Sequence, residues 1–156
     1  MKKEIGSVIK NLENILHGQP WYGRAVIEIL EEVKPSTVYE KPGGSDHSLI
    51  EILYHMITWS EFTLNRLNGD QDQDLSASEA MDWRVIDPKI HSWKKGMAEF
   101  KRINKKIIAV LKTKNDEFLK EIVDYRKYNF RFLLNGMMQH HIYHLGQVAY
   151  INKLLS

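Results

Sequence analysis

Apolar residues recur every three to four positions along most of this chain, and no stretch alternates apolar with polar residues long enough to argue for a sheet. The first run predicts a helix from about Lys3 to Leu16. It is broken at His17-Gly18-Gln19-Pro20, where the glycine suits a helix end and the proline a new first turn. A second piece is predicted over Trp21 to Val33, stopping ahead of Pro35. After the turn-forming Lys41-Pro-Gly-Gly44, Ser45 or Asp46 can cap a long helix that reaches about Leu67 and closes at Asn68-Gly69. Asp87-Pro88 reads as the opening of the next helix, with Ile90, Trp93, Met97, Phe100, Ile107 and Leu111 as its apolar stripe. Asn115-Asp116 ends that helix, and a short helix and a tyrosine-rich link follow. The last helix is predicted from about Phe130 to Leu155.

Four long helical elements without a sheet predict an all-α four-helix bundle, expected here as a single domain over residues 1–156. The loop from Asn68 to Asp87, between the second and third core helices, is long enough to act as a lid or a crossover. Within it, Asp70-Gln-Asp-Gln-Asp74 imitates the start of a calcium loop. Leu75 and Met81 fall where that loop needs glycine and a bidentate glutamate, so the calcium reading is rejected.

A chain of 156 residues that is 43% hydrophobic supports one proper core. Its 22 basic and 20 acidic residues are interspersed, which leaves no basic arm or face for nucleic acid. No segment approaches the ~18 uninterrupted apolar residues of a membrane span. The opening Met1-Lys-Lys-Glu-Ile-Gly-Ser has no apolar signal core, and a cytoplasmic protein is the expectation. There is no cysteine, so any metal must be held by histidine and carboxylate.

Three of the seven histidines, His140, His141 and His144, fall in one short segment of the last helix. One helical turn apart, His140 and His144 can grip one ion, but seven scattered histidines would give roughly 0.3 such pairs by chance, so a third ligand must come from elsewhere. Leu133, Met137, His144, Val148, Ile151 and Leu155 share one face, opposite Arg131, Gln139, Gly146 and Lys153. This places His144 at the centre of the apolar side, with His140 and His141 flanking it equally. The third candidate is His55, at the edge of the stripe formed by Leu49, Leu53, Met56, Ser60 and Leu67. Three nitrogens would leave an open position, as in catalytic zinc sites.

Glu51, one turn before His55, is the candidate for an acceptor behind a ligand, a fourth ligand or a base. Trp59 and Trp83 are candidates for the wall of a pocket, and Tyr143 leans toward solvent or a dimer partner. His47, two turns before His55 and about 12 Å away along a helix axis, is too far to share its metal. His17 suits a helix C-terminus, and His91 points away from the Ile90 stripe toward solvent. The alternative for the whole cluster is a set of core histidines satisfied by hydrogen bonds.

The segments Ser48-Leu-Ile-Glu-Ile-Leu-Tyr-His55-Met-Ile-Thr-Trp59, running on to Leu67-Asn-Gly69, and His140-His-Ile-Tyr-His144-Leu-Gly-Gln147 resemble the DinB/YfiT-like superfamily of small bacterial metal-binding bundles. The resemblance covers nearly the whole chain. It implies that His55, His140 and His144 are the ligands and His141 a bystander, that the ion is zinc, nickel or iron, and that the protein is a homodimer. Members of the group include bacillithiol transferases and mycothiol-dependent isomerases, and many are presumed hydrolases.

Three functions are therefore in view. The first is a metal-dependent transferase that joins a low-molecular-weight thiol to a small electrophile. The second is a hydrolase with metal-activated water as its nucleophile. The third is a dimeric metal-binding or stress-response protein without catalysis.

Overall fold

Three of the four long helices start at a residue whose side chain accepts a backbone N–H. Ser48 caps α3 (Leu49–Leu67), Ser92 caps α5 (Trp93–Lys112) and Asn129 caps α6 (Phe130–Leu154). α1 (Lys3–His17) is served from across the molecule, where the Asp116 carboxylate accepts from the amides of Lys3 and Ile5 at 3.0 and 2.9 Å. Two shorter helices, α2 (Val26–Glu31) and α4 (Ser76–Ala80), and a 3₁₀ turn at Glu117–Lys120 complete the described elements. This computed structural model describes residues 3–69 and 75–156. The acidic run Asp70–Asp74 lies outside them. The described residues contain no β-strand, only an isolated bridge between Ile122 and Asn129. The fold is all-α.

α3 is the central element. Fifteen of its nineteen residues are buried, because it packs against α5 on one side and α6 on the other. α1 closes the ring between α5 and α6, and α2 lies across α1 and α6. Gly96 allows the tight α3–α5 contact, since a Cβ there would stand 2.8 Å from Leu53 Cδ2. α6 is buried on two sides rather than along the single expected stripe. Leu133, Met137, His144, Val148 and Ile151 of that stripe are buried, and Leu134, Met138, His141 and Leu145 are buried as well. Among the described residues, no helix is long and apolar enough to cross a membrane.

The structure shifts three predicted helix starts. The second helix begins at Val26, not Trp21, because Gly23 takes φ +132° in a turn closed by its N–H to Pro20 O; Trp21 is left fully exposed. α3 is capped by Ser48, not by Ser45 or Asp46. Ser48 and Glu51 form a reciprocal capping box, a Ser-x-x-Glu signal visible in the sequence. α5 begins at Trp93, not at Asp87-Pro88. Residues 87–91 make a separate turn in which Asp87 O accepts from both Ile90 and His91, and Ile90 is exposed rather than part of the stripe. The rest of that stripe, from Trp93 to Leu111, is buried.

Candidate metal centre

His55 sits two turns into α3, and His140 and His144 lie one turn apart on the facing surface of α6. One ligand atom from each of the three rings lies within 4.8 Å of the others. His140 Nε2 is 2.9 Å from His55 Nε2 and 3.0 Å from His144 Nε2. Two nitrogens bound to one ion at 2.0–2.1 Å stand about 2.8–3.4 Å apart for bond angles between 90° and tetrahedral, so the two separations at His140 fit a shared ion.

The outer nitrogens fix which ring atoms face inward. His144 Nδ1 is 2.6 Å from Gln147 Oε1, an acceptor, so the proton is assigned to Nδ1 and Nε2 carries a bare lone pair. Asp82 Oδ1 approaches His55 Nδ1 to 2.6 Å without the alignment of a hydrogen bond. A bare lone pair at His144 Nε2 faces His140 Nε2 across 3.0 Å. A neutral nitrogen-donor set of this kind suits the late first-row divalent metals.

Asp82 is held in place rather than free. Its Oδ1 also accepts from Trp59 Nε1 at 2.6 Å. The strap that carries it is tied to α3: Thr58 Oγ1 donates to Met81 O at 2.9 Å, and Arg84 Nη2 donates to Thr58 Oγ1 at 2.6 Å. Partners behind a metal-binding imidazole set its orientation and basicity. Asp82→Ala is expected to weaken metal binding by roughly 10–100-fold without unfolding the bundle, as read by competition with a chelating indicator.

Glu51, expected near the metal, is elsewhere. Its Oε2 accepts from the N–H and the hydroxyl of Ser48, both at 2.7 Å, and its Oε1 pairs with Lys41 Nζ at 3.1 Å. The capping box turns this side chain back to the helix start, and the carboxylate beside His55 is that of Asp82. No local signal in the sequence pointed to Asp82, which arrives from 27 positions downstream through the loop. Gln147 was readable, one turn after His144.

The long loop also brings in Trp83, whose ring stacks on His55 with centroids 3.9 Å apart and planes 7° from parallel. The other face of Trp83 stacks on His47 at 3.5 Å. His47 precedes the cap of α3, so the axial distance that set it apart from the site does not apply, and a tryptophan-wide spacer separates it from His55. His91 is half-buried rather than solvated, accepting from the Asp87 amide at Nδ1 and meeting Tyr54 edge-on. Tyr143 is 65% exposed and touches His144 with its ring edge-on. His141 is fully buried on the other side of α6, where its Nε2 meets Asn104 Oδ1 at 3.2 Å and its ring packs on Phe100.

Burial keeps these rings neutral. Desolvation pushes His140 down to about 3, helped by the neighbouring His144 and His55. It also lowers His55 and His144, against the opposing pull of Asp82 on the first and of Gln147 on the second. Lone pairs are therefore available to an ion at neutral pH and some way below it.

Two concavities flank the triad. A groove of about 230 Å³ opens between α3 and α6 and has Trp59 in its wall and His140 at its end. A cavity of about 460 Å³ reaches Gln147, His47 and the Gly43-Gly44 loop. No curated protein shows significant similarity to the chain. The family model of the DinB superfamily matches residues 23–148, which include α3, α5, the strap with Asp82 and all three histidines; the chain belongs to the DinB superfamily.

Proposed function

We propose that the protein is a metal-dependent transferase that joins a small thiol to an electrophile, with His55, His140 and His144 holding zinc, nickel or iron. The observation that carries the proposal is that the triad meets an apolar groove at His140, while a second cavity of mixed polar and apolar lining reaches Gln147 behind His144, which suits two different reactants. A bound divalent ion supplies Lewis acidity that ionises a thiol at neutral pH. Asp82 and Gln147 orient two of the imidazoles, and Trp83 covers His55 from solvent. The chain has no cysteine of its own, so the nucleophile comes with the cosubstrate. Hydrolysis is less well supported. Glu51, the carboxylate expected to serve as its base, is turned to Ser48 and Lys41 at the start of α3. The homodimer belongs to the same proposal.

The test uses bacillithiol or glutathione with monochlorobimane. The new sulfur–carbon bond forms as the carbon–chlorine bond breaks, chloride leaves with the bonding pair, and the thiol proton passes to the buffer. Full ionisation of a thiol of pKa ~8.5 at pH 7 is worth a rate gain on the order of 30-fold. Fluorescent conjugate should form at about that multiple of background with the metal-loaded protein and fall to background in His144→Ala. Turnover of esters in thiol-free buffer with no conjugate formation would replace this reading with the hydrolytic one.

A further inference from the structure

We propose that the groove beside His140 is the binding site for a neutral, ring-bearing group of the electrophile, and that Gly136 sets the size of the group admitted. This rests on the reading of the triad as the reaction centre. Trp59 and Phe62 of α3 form one wall, Phe132 and Met137 of α6 the other, Tyr128 closes one end, and His140 stands at the other. Among the described residues no charged side chain lines it; the Arg66 and Arg126 guanidinium groups lie 5.0 and 5.7 Å from the centroid of the Phe62 ring, and the lining itself offers a neutral, largely apolar surface. A cavity of roughly 150 Å³ lined by apolar side chains already takes up benzene, so about 230 Å³ has room for a ring carrying a short substituent.

Three features support an occupant of this kind. The Trp59 indole is fixed by its N–H to Asp82, so its face is presented to the groove without further ordering. Phe132 is 65% exposed, and an apolar ligand would remove that ring from water. Gly136 lies in the interior of a 25-residue helix, where glycine weakens the helix, yet it has neither a positive φ nor a neighbour that excludes a side chain. A Cβ there meets nothing within 4 Å, because the space it would enter is the groove. Gly136 leaves open a stretch of the groove that a larger side chain would fill.

Ethylbenzene, which carries no metal-binding or electrophilic atom, tests the groove apart from the chemistry. Ligand-observed NMR titration of the metal-loaded protein should show saturable uptake of one molecule per chain. In Gly136→Leu the affinity should fall by about tenfold or more, with the metal content unchanged and the thermal midpoint equal or higher, since leucine is the better helix former. Ethylbenzene binding without any thiol transfer would uphold the groove and overturn only the catalytic reading. Equal uptake by the two proteins, or no saturable uptake by the wild type, would overturn the proposal. A sedimentation coefficient that drops in Phe132→Ser would then give the groove to a contact between two copies of the chain.

Discussion

Protein purified without a metal-affinity tag is expected to carry about one divalent ion per chain, and His55→Ala, His140→Ala and His144→Ala each to lose it, while His141→Ala keeps it. The discrimination between His140 and His141 is the strong part of the prediction, because the two are adjacent and flank His144 symmetrically around the helix. Their surroundings differ: His140 Nε2 is about 3 Å from two other imidazole nitrogens, whereas His141 Nε2 is against Asn104 on the opposite side of α6. Removing a residue that only orients a ligand costs roughly 10–100-fold in affinity, so removing a ligand should cost more than about 100-fold and leave the ion behind on a desalting column. Elemental analysis of the four variants beside the wild type reads this directly. Loss of metal in His141→Ala alone, or no uptake by the wild type on titration, would leave the cluster as packing residues.

Much of the helical order was legible because it rests on local rules. The burial of Trp93, Met97, Phe100, Ile107 and Leu111 follows from their spacing, and the ends of α1, α3 and α6 fall within a residue of the expected ones. The errors sit at helix starts, where a proline or a polar residue looked sufficient and the deciding feature was Gly23 in a left-handed turn or a serine cap further along. The convergence of His55 on His140 and His144 could not be read from either segment alone, since it depends on which faces of α3 and α6 meet. The resemblance to a family supplied that pairing in advance. Asp82 and Trp83 were least legible as neighbours of His55, because a loop without periodicity lays them there, and their places are set by contacts with Trp59, Thr58 and His47 that no spacing encodes. Glu51 shows the reverse case. Its position one turn from His55 suggested a role at the metal, but the stronger local rule, the capping box, claims the same carboxylate.

The buried pair of His141 and Asn104 should make the fold sensitive to acid. Desolvation lowers His141 to about 3, with a further push from nearby His144, against an ordinary value of 6.5. The unfolded chain therefore binds the proton first. Stability is complete above about pH 6.5 and is lost as pH falls toward 3. At 1.36 kcal/mol per pH unit, this one ring removes about 2–3 kcal/mol by pH 4.5. Replacing His141 alone would strand Asn104 Oδ1, so the informative variant is His141→Leu with Asn104→Leu, in which both partners become apolar and the change at pH 7 should be small. Urea denaturation of the metal-free proteins at pH 7 and pH 4.5 compares the two. The three imidazoles of the triad are present in both proteins, and the double variant should lose about 2–3 kcal/mol less than the wild type between those pH values. An equal loss would mean that His141 takes up its proton without leaving the fold. Because His141 is no member of the triad, that result would leave the metal prediction untouched.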